Sequence, residues 1–228
     1  MYLHFFEQIV AAEVVKLGGP RDWALPYWNY SADLQSRLLP KAFRDPTLHD
    51  GTKNFLFVAQ RDSDANAGQQ FADARDVALR AALTQPDFSS STTDSFGGFP
   101  TNFSHSGSGA GSLERVPHGS MHVAVGGGSG WMSAFNMAGL DPIFWLHHCN
   151  IDRLWEVWLK RDTSHKNPTE LQWLNRISFS FHNAAKQQVT MRCIDVINTT
   201  ALDYSYDDVS DPLVVPVPPV PVPVPQGF

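Results

Sequence analysis

The chain has no run of eighteen or more apolar residues, so no segment of it reads as a membrane-spanning helix. Cysteine is scarce. Cys149 and Cys193 are the only two in 228 residues, too few for a disulfide framework, and they read as buried thiols. Positive charge is thin and scattered: 17 Lys and Arg face 23 Asp and Glu, a net charge of -6. With no basic stripe to neutralise phosphates, the composition excludes a nucleic-acid partner. The N-terminus shows neither a helix cap nor a secretory leader. Met1 opens directly into YLHFFEQIV, with Glu7 where the apolar stretch of a leader belongs. The chain therefore reads as beginning inside a helix. No internal repeat is visible.

Aromatic residues are plentiful, with seven Trp and fifteen Phe in a chain that is 43% hydrophobic. That supports one sizeable core and one domain. An amphipathic helix is expected over residues 2–17, stopped by Gly18-Gly19-Pro20. A second is expected over 71–84, where FADARDVALRAALT has good helix composition. Residues 86–112 read as a long loop, a short helix is expected from Pro117 to Val125, and a longer one from Asp141-Pro142 to about Lys160. Short alternating stretches such as Gln188–Arg192 suggest minor strands. Domain organisation follows: residues 1–208 as the folded domain, and a Val/Pro-rich tail at 209–228, polyproline II or disordered and outside the core.

The histidines carry the chemistry. His118 and His122 are four apart on a short helix and project from one face. His147 and His148 stand side by side among Ile143, Phe144, Trp145, Leu146, Ile151, Leu154, Trp155 and Trp158, an apolar setting in which an imidazole needs a partner. Two readings fit: core histidines bonded to backbone, or an all-imidazole metal site for copper or zinc. Spacing does not choose between His147 and His148, because both lie on apolar faces of the same helix.

The string DPIFWLHHCNIDRLWEVW, residues 141–158, resembles the copper-B signature of the tyrosinase, polyphenol oxidase and catechol oxidase family, D-P-x-F-x-x-H-H-x-x-x-D-x-x-W, at every fixed position. LERVPHGSMHVAVGG at 113–127 resembles the segment that carries the first two copper-B ligands. ALPYWNYS at 24–31 resembles the P-Y-W segment between the two copper sites, and LDYSYDD at 202–208 the tyrosine motif that closes the catalytic domain. The resemblance implies a mainly α fold, a four-helix-bundle domain around a type-3 copper pair, with long loops and minor β structure.

Carried over position by position, the resemblance makes His118, His122 and His148 the copper ligands and places His147 behind them, pointing away from the metal. It makes Asp152 the group that orients a ligand imidazole, sets Phe144 beneath the copper, and makes Glu114 the carboxylate that holds a proton-accepting water. The plainer reading of Glu114 is a carboxylate at a helix start. Gly119, following the first ligand, offers no side chain to orient that water and tilts the reading toward diphenols. The implied reaction is oxidation of a small phenolic substrate, a catechol, to an o-quinone with dioxygen. The family's third copper-A histidine belongs just ahead of MYLHFFEQ, so the resemblance implies that the copper-A donors precede residue 1 and that this chain holds at most one copper. His4 falls on a different helix face, and His49, His105, His165 and His182 read as surface residues. Two other outcomes stay open: a type-3 oxygen carrier, and a non-catalytic module with a single metal.

Overall fold

The computed structural model describes residues 1–90, 94–99, 109–176 and 178–214. Two long helices organise them. Helix α1 spans Tyr2–Lys16 and is followed by Gly18 at a positive φ, as the Gly-Gly-Pro stop signals. The short helices α2 (Leu34–Arg37), α3 (Ser63–Ala67) and α4 (Arg80–Leu83) lie in the long irregular stretch that follows. Helix α5 (Ser120–Gly126) precedes α6 (Ile143–Arg161), the longest element, and α7 (Leu171–Asn175) leads into a hairpin of β1 (Ser178–His182) and β2 (Gln188–Arg192). The strands pair antiparallel, Ser178 opposite Arg192 and His182 opposite Gln188. The architecture is mainly helical, and among the described residues no helix is long and apolar enough to cross a membrane.

Helix α6 forms where apolar residues recur at helical spacing. Ile143, His147, Asn150, Leu154, Val157 and Trp158 make one buried stripe. Lys160 and Arg161 occupy the last turn, where their charge suits the helix dipole. The stripe runs through two clusters. One gathers Trp28, Tyr30, Leu39, Phe43, Met121, Val125, Met132 and Ile143; the other gathers Leu83, Phe96, Leu113, Leu154 and Trp158. Helix α1 joins α6 and the hairpin by ring contacts. Phe6 stacks on Trp145 at 3.7 Å between centroids, and Phe5 stacks on Phe181 at 5.2 Å.

The start of α6 is held by a buried ion pair. Arg61 donates from Nε and Nη2 to the two carboxylate oxygens of Asp141 at 2.8 and 2.6 Å, with both side chains sealed from solvent. Arg61 also donates to the carbonyls of Phe43 and Leu56, and Asp141 accepts from the Ile143 amide. Every charged atom is thereby paired, the condition under which a buried pair is tolerated.

Three expectations need correction. The helix expected over 71–84 is confined to Arg80–Leu83. Ahead of it the chain turns, with the Asp76 carboxylate accepting from the Asp73 amide, while Phe71, Ala72 and Val77 enter the core singly. Asp side chains that capture nearby amides compete with helix formation. The docked chain continues past residue 208: Val209 and Leu213 pack against the second cluster, and Asp211 pairs with Arg161. The remainder of the Val/Pro-rich tail, from 215 on, lies outside the described residues. Finally, His165 is buried, stacked on Trp158 at 4.3 Å with Nδ1 donating to the Trp158 carbonyl. His49 and His182 are exposed as expected, and His105 lies outside the described residues. Of the two cysteines, both free, Cys149 is buried and Cys193 half-buried.

Candidate metal centre

Four histidines meet between α5 and α6. One ring nitrogen from each of His118, His122, His147 and His148 lies within 4.8 Å of the others, the one such cluster found among the described residues. The local sequence explains how they arrive. Val116 is extended (φ -144°, ψ 123°) and precedes Pro117, so the run from Glu114 to Gly119 is kinked before regular helix begins at Ser120. His118 sits at that kink and His122 one turn later, with ring centroids 4.7 Å apart. His147 and His148 come from the buried and adjacent faces of α6.

Three of the rings are fixed on their outer side. His122 Nδ1 donates to the Met132 carbonyl at 2.7 Å, and His148 Nδ1 donates to the Phe144 carbonyl one turn back at 2.8 Å. His118 Nδ1 lies 3.0 Å from a carboxylate oxygen of Glu114, an ion-pair distance without the alignment of a hydrogen bond. Anchoring Nδ1–H leaves Nε2 as a lone-pair donor facing inward, the usual arrangement of a ligand imidazole. His118 Nε2 and His148 Nε2 stand 2.9 Å apart. Two ring nitrogens facing each other so closely need a proton or a cation between them. The Met132 contact depends on a glycine. A Cβ on Gly126 would fall 2.3 Å from Ser133 Oγ, so only glycine lets the following loop fold back against α5.

Burial and mutual repulsion keep three of the imidazoles neutral, with their lone pairs free to ligate. Burial first, and the neighbouring His118 ring second, push His122 down to about 4. The same two causes push His148 down to about 3. Burial and then the adjacent His148 push His147 well below its ordinary value. All three are neutral at neutral pH, the form that coordinates metal. Phe144 packs on His148 with centroids 3.9 Å apart and reaches His122 at 5.9 Å. The donor set is wholly imidazole, which suits copper or zinc and disfavours calcium or magnesium.

Two expected roles differ in the structure. His147 does not point away: its ring lies among the other three, parallel to His118 at 5.4 Å and perpendicular to His122 at 4.9 Å. Asp152 is bonded to tyrosines rather than to an imidazole. Its Oδ2 accepts from Tyr204 at 2.7 Å and from Tyr206 at 2.6 Å. The i−4 carbonyl of Phe144 already occupies His148 Nδ1, which leaves Asp152 facing a separate cavity of about 750 Å³, lined by His4, Glu7, Leu25, Cys149, Asp152 and Tyr206 among others. The histidine cluster does not line that cavity. Burial and then Asp152 raise both tyrosine phenols far above their ordinary range, and burial pushes the Cys149 thiol up to about 12. Gly119 leaves the kink uncrowded, since a Cβ there would stand 3.1 Å from the Glu114 carbonyl.

The Met132 carbonyl and the Arg61–Asp141 pair were not visible in the sequence. Asp141 is marked by its place before Pro142 and α6, but its partner is 80 residues away and carries no local signal.

Comparison with known proteins identifies the family and the fold. Residues 1–161 match the family model of the common central domain of tyrosinase, and residues 167–215 match the polyphenol oxidase middle domain. The chain is 37% identical over 217 residues to a tyrosinase of Hahella sp. (strain CCB-MM4), covering 90% of this chain and 44% of that protein. It is 33% identical to a chloroplastic polyphenol oxidase of Spinacia oleracea, covering 91% of this chain and 35% of that one. It thus spans less than half the length of these relatives. Among solved structures it resembles the polyphenol oxidase of Grenache (Vitis vinifera), with a TM-score of 0.71 at 25% identity over 92% of this chain and 64% of that one. Latent apple tyrosinase gives the same TM-score at 24% identity, over 92% of this chain and 47% of that one.

Proposed function

The chain belongs to the tyrosinase family, and we propose that it supplies one copper position of an enzyme that oxidises small phenols or catechols to o-quinones with dioxygen. The observation that supports this best is the convergence of His118, His122 and His148, each held on its outer nitrogen, around one point. These three are the proposed copper ligands. Copper, when bound, supplies the dioxygen-binding and electron-accepting chemistry.

The protein's own residues do the rest. Met132 and Phe144 hold two imidazoles through their carbonyls, and Phe144 adds an apolar wall against His148. Glu114, more than half exposed at the rim, fixes the His118 ring from outside and is placed to take the phenolic proton through a water. Gly119 presents no side chain beside that carboxylate, which favours diphenols as substrates. Asp152 acts at a distance from the metal, tying the 202–208 segment to α6.

Because one donor cluster is present among the described residues, the chain by itself is proposed to hold one copper and to turn over no catechol. This favours the single-metal module as the state of the isolated chain. The test is copper analysis of purified protein beside a catechol assay. One copper per chain with no quinone formed is expected. Two coppers with turnover overturn the single-metal part, and no copper at all overturns the site.

A further inference from the structure

Several polar atoms inside the molecule go unanswered, and those of three residues meet behind the histidine cluster. Tyr30, His147 and Asn150 are each 0% exposed. Among the described residues the Tyr30 hydroxyl, the Asn150 Nδ2 and both His147 ring nitrogens have no hydrogen-bond partner. Asn150 follows His147 by one turn on the buried stripe of α6, and the Tyr30 ring stands 5.7 Å from the His147 ring. Burial pushes the Tyr30 phenol above its ordinary range, and the Asn150 amide is the next influence, acting against it. The two side chains are therefore neighbours. Polar atoms buried without partners cost free energy, and Phe and Leu at these positions would fill the same space without that cost.

The donors and acceptors point to what joins them. Asn150 Oδ1 accepts from Arg153 Nε at 3.0 Å, so the unpaired Nδ2 is a donor. Tyr30 keeps its proton and donates as well. A neutral imidazole carries one bare nitrogen, an acceptor. Two donors and one acceptor suit a single buried water, which makes about three hydrogen bonds. We infer that one water is bound among Tyr30, Asn150 and His147, accepting from the first two and donating to the third, and that it keeps the His147 ring out of the metal's coordination sphere. The second half of this rests on the proposed copper site. His147 is stacked on His118, with centroids 5.4 Å apart and an interplanar angle of 16°. Stacked rings send their in-plane lone pairs side by side rather than to a common point. In this setting the three ligands keep the open position of a catalytic metal. A turned ring would close it, because one His147 nitrogen already lies within 4.8 Å of a nitrogen on each of the other three. Tyr30 and Asn150 are thus positioning residues that act through His147. Arg153 carries the network outward, donating from Nη1 to the Asp208 carbonyl at 3.0 Å.

The metal-free full chain tests the water first, by proton and nitrogen-15 NMR of the His147 and Tyr30 side chains. A hydrogen-bonded acceptor nitrogen on His147 is expected, with magnetisation transfer between the Tyr30 hydroxyl proton and a long-lived water. No bound water at these groups overturns the site, whatever the metal does. The chain is then loaded with one equivalent of Co(II), titrated with azide and followed by its visible spectrum. The wild-type chain is expected to take azide at the open position. Tyr30→Phe removes only the hydroxyl and is expected to lower azide affinity about 10-fold, a size common for loss of an outer partner at a metal site. In a His147→Leu background the same change is expected to leave azide affinity unaltered. An equal fall in both backgrounds, or none in either, overturns the positioning role. Failure of the wild-type chain to bind Co(II) overturns the metal site and the positioning role together, and the NMR result still decides the water. That measurement needs only the wild-type chain, so it stands even if a variant does not fold.

Discussion

At the scale of single residues, the molecule keeps its charges and imidazoles buried only where something answers them. Arg61 and Asp141 answer each other, with their remaining contacts going to backbone and, from Arg61, to the Asn66 side-chain oxygen. Arg61→Ala leaves the Asp141 carboxylate buried without a counter-charge at the start of α6. The expected loss is about 3–5 kcal/mol of stability, read as a lower urea midpoint; a loss near zero means that water reaches Asp141. The histidine cluster predicts a pH dependence for the metal-free chain. His122 and His148, at about 4 and about 3 when folded, return to about 6.5 when unfolded. The unfolded chain therefore binds more protons between pH 6.5 and 4, and stability rises with pH across that window. Stability is fully present above pH 6.5 and declines as pH falls toward the folded values. His122 alone accounts for roughly 3 kcal/mol of that decline. Denaturant titrations at pH 7.5, 6 and 5 check it. Midpoints that do not move over this range mean that the rings are solvated.

At the scale of elements, what the sequence showed and what it hid separate by the range of the interactions involved. Helices α1 and α6 are legible because an apolar period over fifteen and nineteen residues is a local signal. The 71–84 stretch misled because helix composition is a weak prior. Asp76 captures the Asp73 amide, and the core draws in Phe71, Ala72 and Val77 one at a time. The three histidines assigned as ligands were legible through the family pattern; spacing alone left His147 and His148 equivalent. The partner of Asp152 was not legible, since it arrives from 52 and 54 residues away. The turn after α5 tests how glycine builds the site. Gly126→Ala places a Cβ against Ser133, displaces the Met132 carbonyl from His122, and is expected to cost about 1–3 kcal/mol and to weaken metal binding. Gly128→Ala, with no atom within 4 Å of its Cβ, is the matched control and is expected to do neither. Zn(II) affinity and thermal midpoint of the two variants decide it; equal behaviour of both means that the loop relaxes.

At the scale of the whole molecule, the two family models divide the chain near residue 165, but its contacts do not respect that division. Val209 and Leu213 pack against the cluster around Leu154 and Trp158, and Arg153 donates to the Asp208 carbonyl. Asp211 meets Arg161, and both tyrosines close on Asp152. Every one of these ties lands on α6. Between them runs the hairpin, whose turn from Asn183 to Gln187 stands out in solvent around Lys186, at a φ of 62°. The tyrosine contacts therefore act as a clasp on a loop of the chain, and the peptide bond after Lys186 is not among the things that hold the particle together. Limited trypsin digestion at that bond is expected to yield a protein that migrates as one species on a native gel and as two pieces in detergent, with its metal site undisturbed. Asp152→Ala, cut in the same way, is expected to shed its C-terminal piece. Release of that piece from the wild-type chain in native buffer means that the clasp does not hold. If it does hold, an intact native band is no measure of an intact backbone in this protein.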